Sequence, residues 1–148
     1  MQLTLTWFNC FLLMIPLLVW NLVLSPRITN LRVTSDANSP GWLLAAENVT
    51  RILVFALPLL LPLQVKDAWG KAGLIIYIFG TLVYFASWLP LMMSPGSIWS
   101  NSGIGLLAPR LTPFLSFLGI AIISGSWLYG LISAVFIILH TLHGIHNL

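Results

Sequence analysis

Four apolar stretches, each long enough to cross a bilayer, fix what this chain can become. They cover residues 6–25, 42–65, 72–93 and 111–142, and polar or charged segments separate them. A hydrocarbon core about 30 Å thick takes roughly 20 helical residues, and only structures that satisfy every backbone amide internally survive inside it. The expected fold class is therefore all-α: a multi-pass integral membrane protein with four transmembrane helices in one compact bundle over residues 1–148. Composition agrees, with 59% hydrophobic and 6% charged residues in 148, against about a quarter charged in soluble domains. A separate soluble domain has no room.

The connections differ in character. Arg27 to Gly41 (RITNLRVTSDANSPG) is rich in Asn, Ser, Thr and Pro and precedes Trp42, an aromatic of interfacial type. KDAWGK (Lys66 to Lys71) is a short charged turn. Ser94 to Arg110 (SPGSIWSNSGIGLLAPR) is polar and glycine-rich but uncharged until its end. It can lie at the interface, anchored by Trp99, or dip inward where protein satisfies its amides. The first apolar stretch lacks a basic leader and a small-residue cleavage site, so it is expected to be retained. The Lys/Arg balance between loops leans by one residue toward placing the first and third loops in the cytoplasm, with both termini opposite.

Length identifies the polar residues that need explaining. From Ile52 to Val65 the uncharged run gives only about 21 Å of helix, so the second span must begin before Arg51. That puts Glu47, Asn48 and Arg51, from LLAAENVTRILVF, inside its second and third turns. Glu47 and Arg51 are four apart and can pair on one face. A charge facing lipid at such depth costs a few kcal/mol, so these groups should face protein or a wet cavity. Two readings stay open: a ligand site, or a clamp tying the second helix to Asn9 or Asn21 of the first. Pro58 and Pro62 then remove two helical hydrogen bonds and should kink this helix.

The last apolar stretch is too long. As one helix, Leu111 to Leu139 would run about 44 Å, so it must tilt, bend or project. It carries Gly119, Ala121, Ser124, Gly125, Ser126 and Gly130, small residues that permit close helix approach within the bundle or at a dimer seam. Beyond it, His140, His143 and His146 recur every third residue. His140 and His143 are weak metal candidates, with imidazoles among headgroups as the plainer reading, and Gly144 is expected to end the helix.

No cofactor is expected. There is no phosphate loop, nucleophile elbow or H-E-x-x-H, and no histidine at mid-membrane depth to hold haem. The single Cys10 allows no internal disulfide. A formal charge of +3 is too thin and scattered for nucleic acid and suits anionic lipid headgroups. The favoured function is binding or translocation of a lipid or small amphipathic anion by Glu47, Asn48, Arg51, Arg110 and Arg27. The alternatives are an integral-membrane enzyme with Glu47 as general acid or base, and an accessory subunit of a homo-oligomer or larger membrane complex.

Overall fold

The computed structural model describes residues 8–28 and 39–146, and for residues 25–28 the backbone alone. Its elements are α1 (Phe11–Ile28), α2 (Gly41–Ala56) continued by a 3-10 turn (Leu57–Leu60), α3 (Ala68–Met93), the short α4 (Ile98–Asn101), α5 (Gly103–Leu111), α6 (Pro113–Ser124) and α7 (Trp127–His146). Four helical stretches are long and apolar enough to cross a membrane: Gly41–Leu60, Ala68–Met93, Gly103–Ser124 and Trp127–His146, with α1 a shorter apolar helix. The chain is an all-α membrane bundle of four such helices packed together.

These are not the four spans that apolar length alone suggests. The stretch 111–142 is divided at Gly125, which has φ +63°, a left-handed conformation that glycine adopts without a Cβ penalty. Gly125 N–H donates to Ile122 O at 3.1 Å and Ser126 N–H to Ala121 O at 2.9 Å, the paired bonds of a Schellman stop. Ser126 then caps the next helix, its Oγ accepting from Tyr129 N–H at 3.2 Å. One long helix becomes an antiparallel pair, α6 and α7. The lost length is recovered upstream: α5 continues into α6 through Thr112, whose dihedrals are helical. Arg110 therefore lies within a span and not before it. The expected third loop is largely helical, with Ser97 and Ser102 serving as N-caps.

Proline sets the end of α2. Pro58 has no N–H for Val54 O, and that carbonyl is taken by Tyr129 OH from α7 at 3.3 Å. The chain then extends at Leu61, where Cys10 N–H donates to Leu61 O at 2.9 Å. Residues 61–65, expected as helix, instead close one end of the bundle against the start of α1.

Helix α3 shows how the apolar sequence is divided between lipid and protein. Ile75, Phe79 and Leu82 are exposed on one face, while Gly73, Tyr77, Gly80 and Tyr84 are buried on the other, each set following helical spacing. At the buried face backbones nearly touch, since a Cβ on Gly119 would stand 2.6 Å from Tyr77 N and one on Gly80 2.6 Å from Ser116 N. Thr81 and Ser116 share a buried hydroxyl contact of 3.1 Å in the same seam. Ser126 is also buried, and the nearest neighbour of a Cβ on Gly130 is Ala121 of α6, so this small-residue pair faces the bundle. Exposed Trp42 and Trp99 lie toward one end of the bundle and exposed Trp69 and Trp127 toward the other, the positions expected of two interfacial belts.

Candidate functional site

The reversal at Gly125 returns α7 to the bundle end where α2 begins. Glu47, on the second turn of α2, is 1% exposed and holds three partners. Arg51 Nη2 donates to its Oε1. His140 Nδ1 lies 2.8 Å from that oxygen, and His143 Nδ1 lies 2.5 Å from Oε2. Arg51 Nη1 also reaches Asn48 Oδ1 at 3.4 Å, while Asn48 itself is exposed. The helix pair expected from the four-residue spacing is present, but it is half of a larger cluster.

The sequence points to an interfacial end, with His140 and His143 as weak metal candidates; the structure places these two on Glu47. Their spacing puts both on the face of α7 that meets α2. Gly144 does not end the helix, which runs to His146. Among the described residues no group of three or more His, Cys, Asp or Glu is placed to hold a metal ion. The clamp to α1 takes another form as well. Asn21 accepts from Tyr84 OH of α3, and Asn9 Oδ1 accepts from Phe11 N–H at 3.0 Å.

Beside this cluster lies a cavity of about 360 Å³. Its polar wall is Asn21, Arg51, Tyr84, Trp88, Arg110 and His140, and its apolar wall includes Leu17, Phe55, Phe117, Phe136 and Ile137. Arg110 comes from α5, its Nη1 donating to His140 O at 3.4 Å. It reaches there because Gly144 of α7 leaves space: a Cβ at that position would stand 2.4 Å from Arg110 Nη1. The His140 ring is stacked on Phe136, with centroids 5.4 Å apart and planes at 16°. Trp88 Nε1 is buried, and its ring stands edge-on to that of Tyr84 with centroids 6.3 Å apart.

Of the residues singled out from sequence, Arg51 and Arg110 share the cavity and Glu47 stands behind it. Asn48 accepts from Arg51 and is not part of the cavity wall, and the side chain of Arg27 lies outside the described residues. Sequence reasoning missed His140, Tyr84, Trp88 and Asn21 as cavity residues. For His140 a signal existed: SGSW (Ser124 to Trp127) is a helix stop followed by an N-cap, and it puts the histidines at the end of the bundle where Glu47 lies. For the other three no local pattern marks the wall. Comparison with protein-family models, curated proteins and solved structures finds no match to this chain.

Proposed function

We propose that this chain binds a lipid or small amphipathic anion in the cavity between α1, α2, α3, α5–α6 and α7. The observation that carries the reading is the convergence of Arg51 and Arg110 on one apolar-walled cavity. Planar guanidiniums match phosphate and carboxylate oxygens two at a time, and the aromatic and aliphatic wall suits the alkyl part of such a ligand. Among the described residues only Arg51 of the two arginines has a carboxylate contact, and a cation beside an apolar wall is best stabilised by an anion. Glu47 acts here as the anchor that orients Arg51, too enclosed to meet ligand itself.

A double-mutant cycle tests this. Arg51→Ala and Arg110→Ala are made singly and together, and retention of phosphatidylglycerol by the detergent-purified protein is read by native mass spectrometry. A shared site gives strongly non-additive losses. Two arginines that merely anchor their own helix ends in headgroups give small additive effects. With no lipid held by the unmodified chain, that result would replace the binding reading with that of a packing subunit in a larger complex.

A further inference from the structure

The cavity contains more than a receptor for an anion needs, and the surplus is His140. An ionised carboxylate only accepts hydrogen bonds, so Glu47 fixes the proton of the His140 ring on Nδ1, 2.8 Å from its Oε1. In the neutral imidazole this leaves Nε2 with a free lone pair. Stacking on Phe136 holds the ring plane. Two histidines bind the same carboxylate, but they are placed differently. The His143 side chain is 13% exposed and is no part of the cavity wall, whereas that of His140 is 28% exposed and is part of it. A histidine needed only to satisfy Glu47 gains nothing from that position.

Resting on the reading of the cavity as an anion site, we propose that it hydrolyses a phosphodiester, with His140 Nε2 as general base and Arg51 and Arg110 holding the phosphate oxygens. Charge selects the substrate class. Among the described wall residues and the Glu47 behind them, two guanidiniums against one carboxylate leave a single positive charge when the imidazoles are neutral, which matches the single negative charge of a phosphodiester. A carboxylic ester carries no charge for the arginines to hold. The only hydroxyl on the described wall is that of Tyr84, which donates to Asn21, so the nucleophile is water.

In the reaction, a water proton passes to Nε2 as the water oxygen forms its bond to phosphorus. The bond from phosphorus to the alcohol oxygen opposite the entering water breaks, the leaving alkoxide takes a proton from solvent, and Nε2 returns its own proton to solvent. The products are a phosphomonoester and an alcohol, with no redox change. The apolar half of the wall favours a diester carrying hydrocarbon chains, but a soluble diester offers the arginines the same chemistry.

The full chain is reconstituted into phosphatidylcholine nanodiscs containing phosphatidylglycerol. Phosphorus-31 NMR follows appearance of a phosphomonoester, and native mass spectrometry reads phosphatidylglycerol retained by the same preparation. A parallel arm supplies glycerophosphoglycerol, the same diester without acyl chains. Cleavage of phosphatidylglycerol alone assigns a lipid source and cleavage of both a soluble one, and either upholds hydrolysis. His140→Asn keeps a donor near the Nδ1 position and nothing at Nε2, so turnover should fall about 100-fold or more while retention is kept. Because that change touches a buried carboxylate, Arg110→Lys is measured beside it. It leaves the three hydrogen-bond partners of Glu47 in place, and turnover there should fall about tenfold if the forked hold on the phosphate oxygens is lost. Lipid retained but never cleaved overturns hydrolysis and leaves binding standing. Lipid neither retained nor cleaved overturns both. Undiminished turnover in folded His140→Asn, or in Arg110→Lys if the first variant does not fold, overturns the assignment.

Discussion

The two ends of the bundle use charge in opposite ways. At one end Lys66, Asp67 and Lys71 fall within six residues of sequence and all are exposed. Asp67 caps α3, its Oδ1 accepting from Gly70 N–H at 2.9 Å. Every one of these groups is explained by its own neighbourhood. At the other end Glu47, Arg51, Arg110, His140 and His143 come from α2, α5 and α7, and the carboxylate at their centre is 1% exposed. Local charge ends a helix and meets water. Charge that converges from distant segments and is enclosed has to be held by tertiary structure, and it stands beside the cavity.

The sharpest way to break this contrast is to remove one carboxylate from each end. Glu47→Ala leaves an arginine and two histidines around an enclosed space. Losing one partner of a buried ionic cluster costs about 3–5 kcal/mol, and the partial exposure of Arg51 puts the expectation at the lower end of that range. The thermal midpoint in detergent should fall steeply, and phosphatidylglycerol retention with it. A midpoint within a few degrees of the unmodified chain would make the cluster ornamental.

The next effect concerns the turn that brings the far end of α7 to Glu47. Gly125→Ala forces a Cβ into a left-handed position, at a cost of about 1–2 kcal/mol, with open space around the new methyl. The midpoint should drop modestly, and ligand retention should fall in proportion to the folded fraction and no further. Retention lost in a fully folded variant would mean that the turn tunes the site directly.

That turn also explains how far the sequence could be read. Membrane class, an all-helical bundle, the N-terminal reach of α2 past Arg51 and the charged turn near Lys66 follow from run length and local charge, because bilayer thickness enforces them. Hydropathy is blind to what happens inside an apolar run. Ile122, Ile123, Trp127 and Leu128 are as apolar on either side of the reversal as any continuous helix, and the stop is encoded by Gly125 and Ser126 alone. Reading 111–142 as one span put the histidines at the end opposite Glu47, so their role was illegible. Arg51 and Arg110 could be set on one face by counting spans, but Tyr84, Trp88 and Asn21 join the wall through packing, which has no local signature.

Asp67→Ala is the counterpart of the Glu47 change. It removes an N-cap from an exposed helix start, worth about 1 kcal/mol, at the end of the bundle away from the cavity. A small fall in midpoint with lipid retention unchanged is expected from parallel thermal and native mass-spectrometric measurements. Coupled loss of retention would show that the two ends communicate.

The smallest effect on stability should come from Gly144→Ala, and it is the most selective probe of the converging end. The new methyl meets Arg110 Nη1 at 2.4 Å and its Cδ at 2.7 Å, and it meets a flexible side chain, so the helix can remain while the guanidinium moves. Alanine also favours helix over glycine by about 1 kcal/mol, which offsets the crowding, and stability should change by about 0.5 kcal/mol or less in either direction. Arg110 displaced from its bond to His140 O is moved from its place in the cavity wall, so phosphatidylglycerol retention should fall several-fold, approaching that of Arg110→Ala. Combining the two substitutions should then cost little more than Arg110→Ala alone, because both act through one side chain. Additive losses in the pair would show that Gly144 shapes the cavity by some route other than the arginine above it.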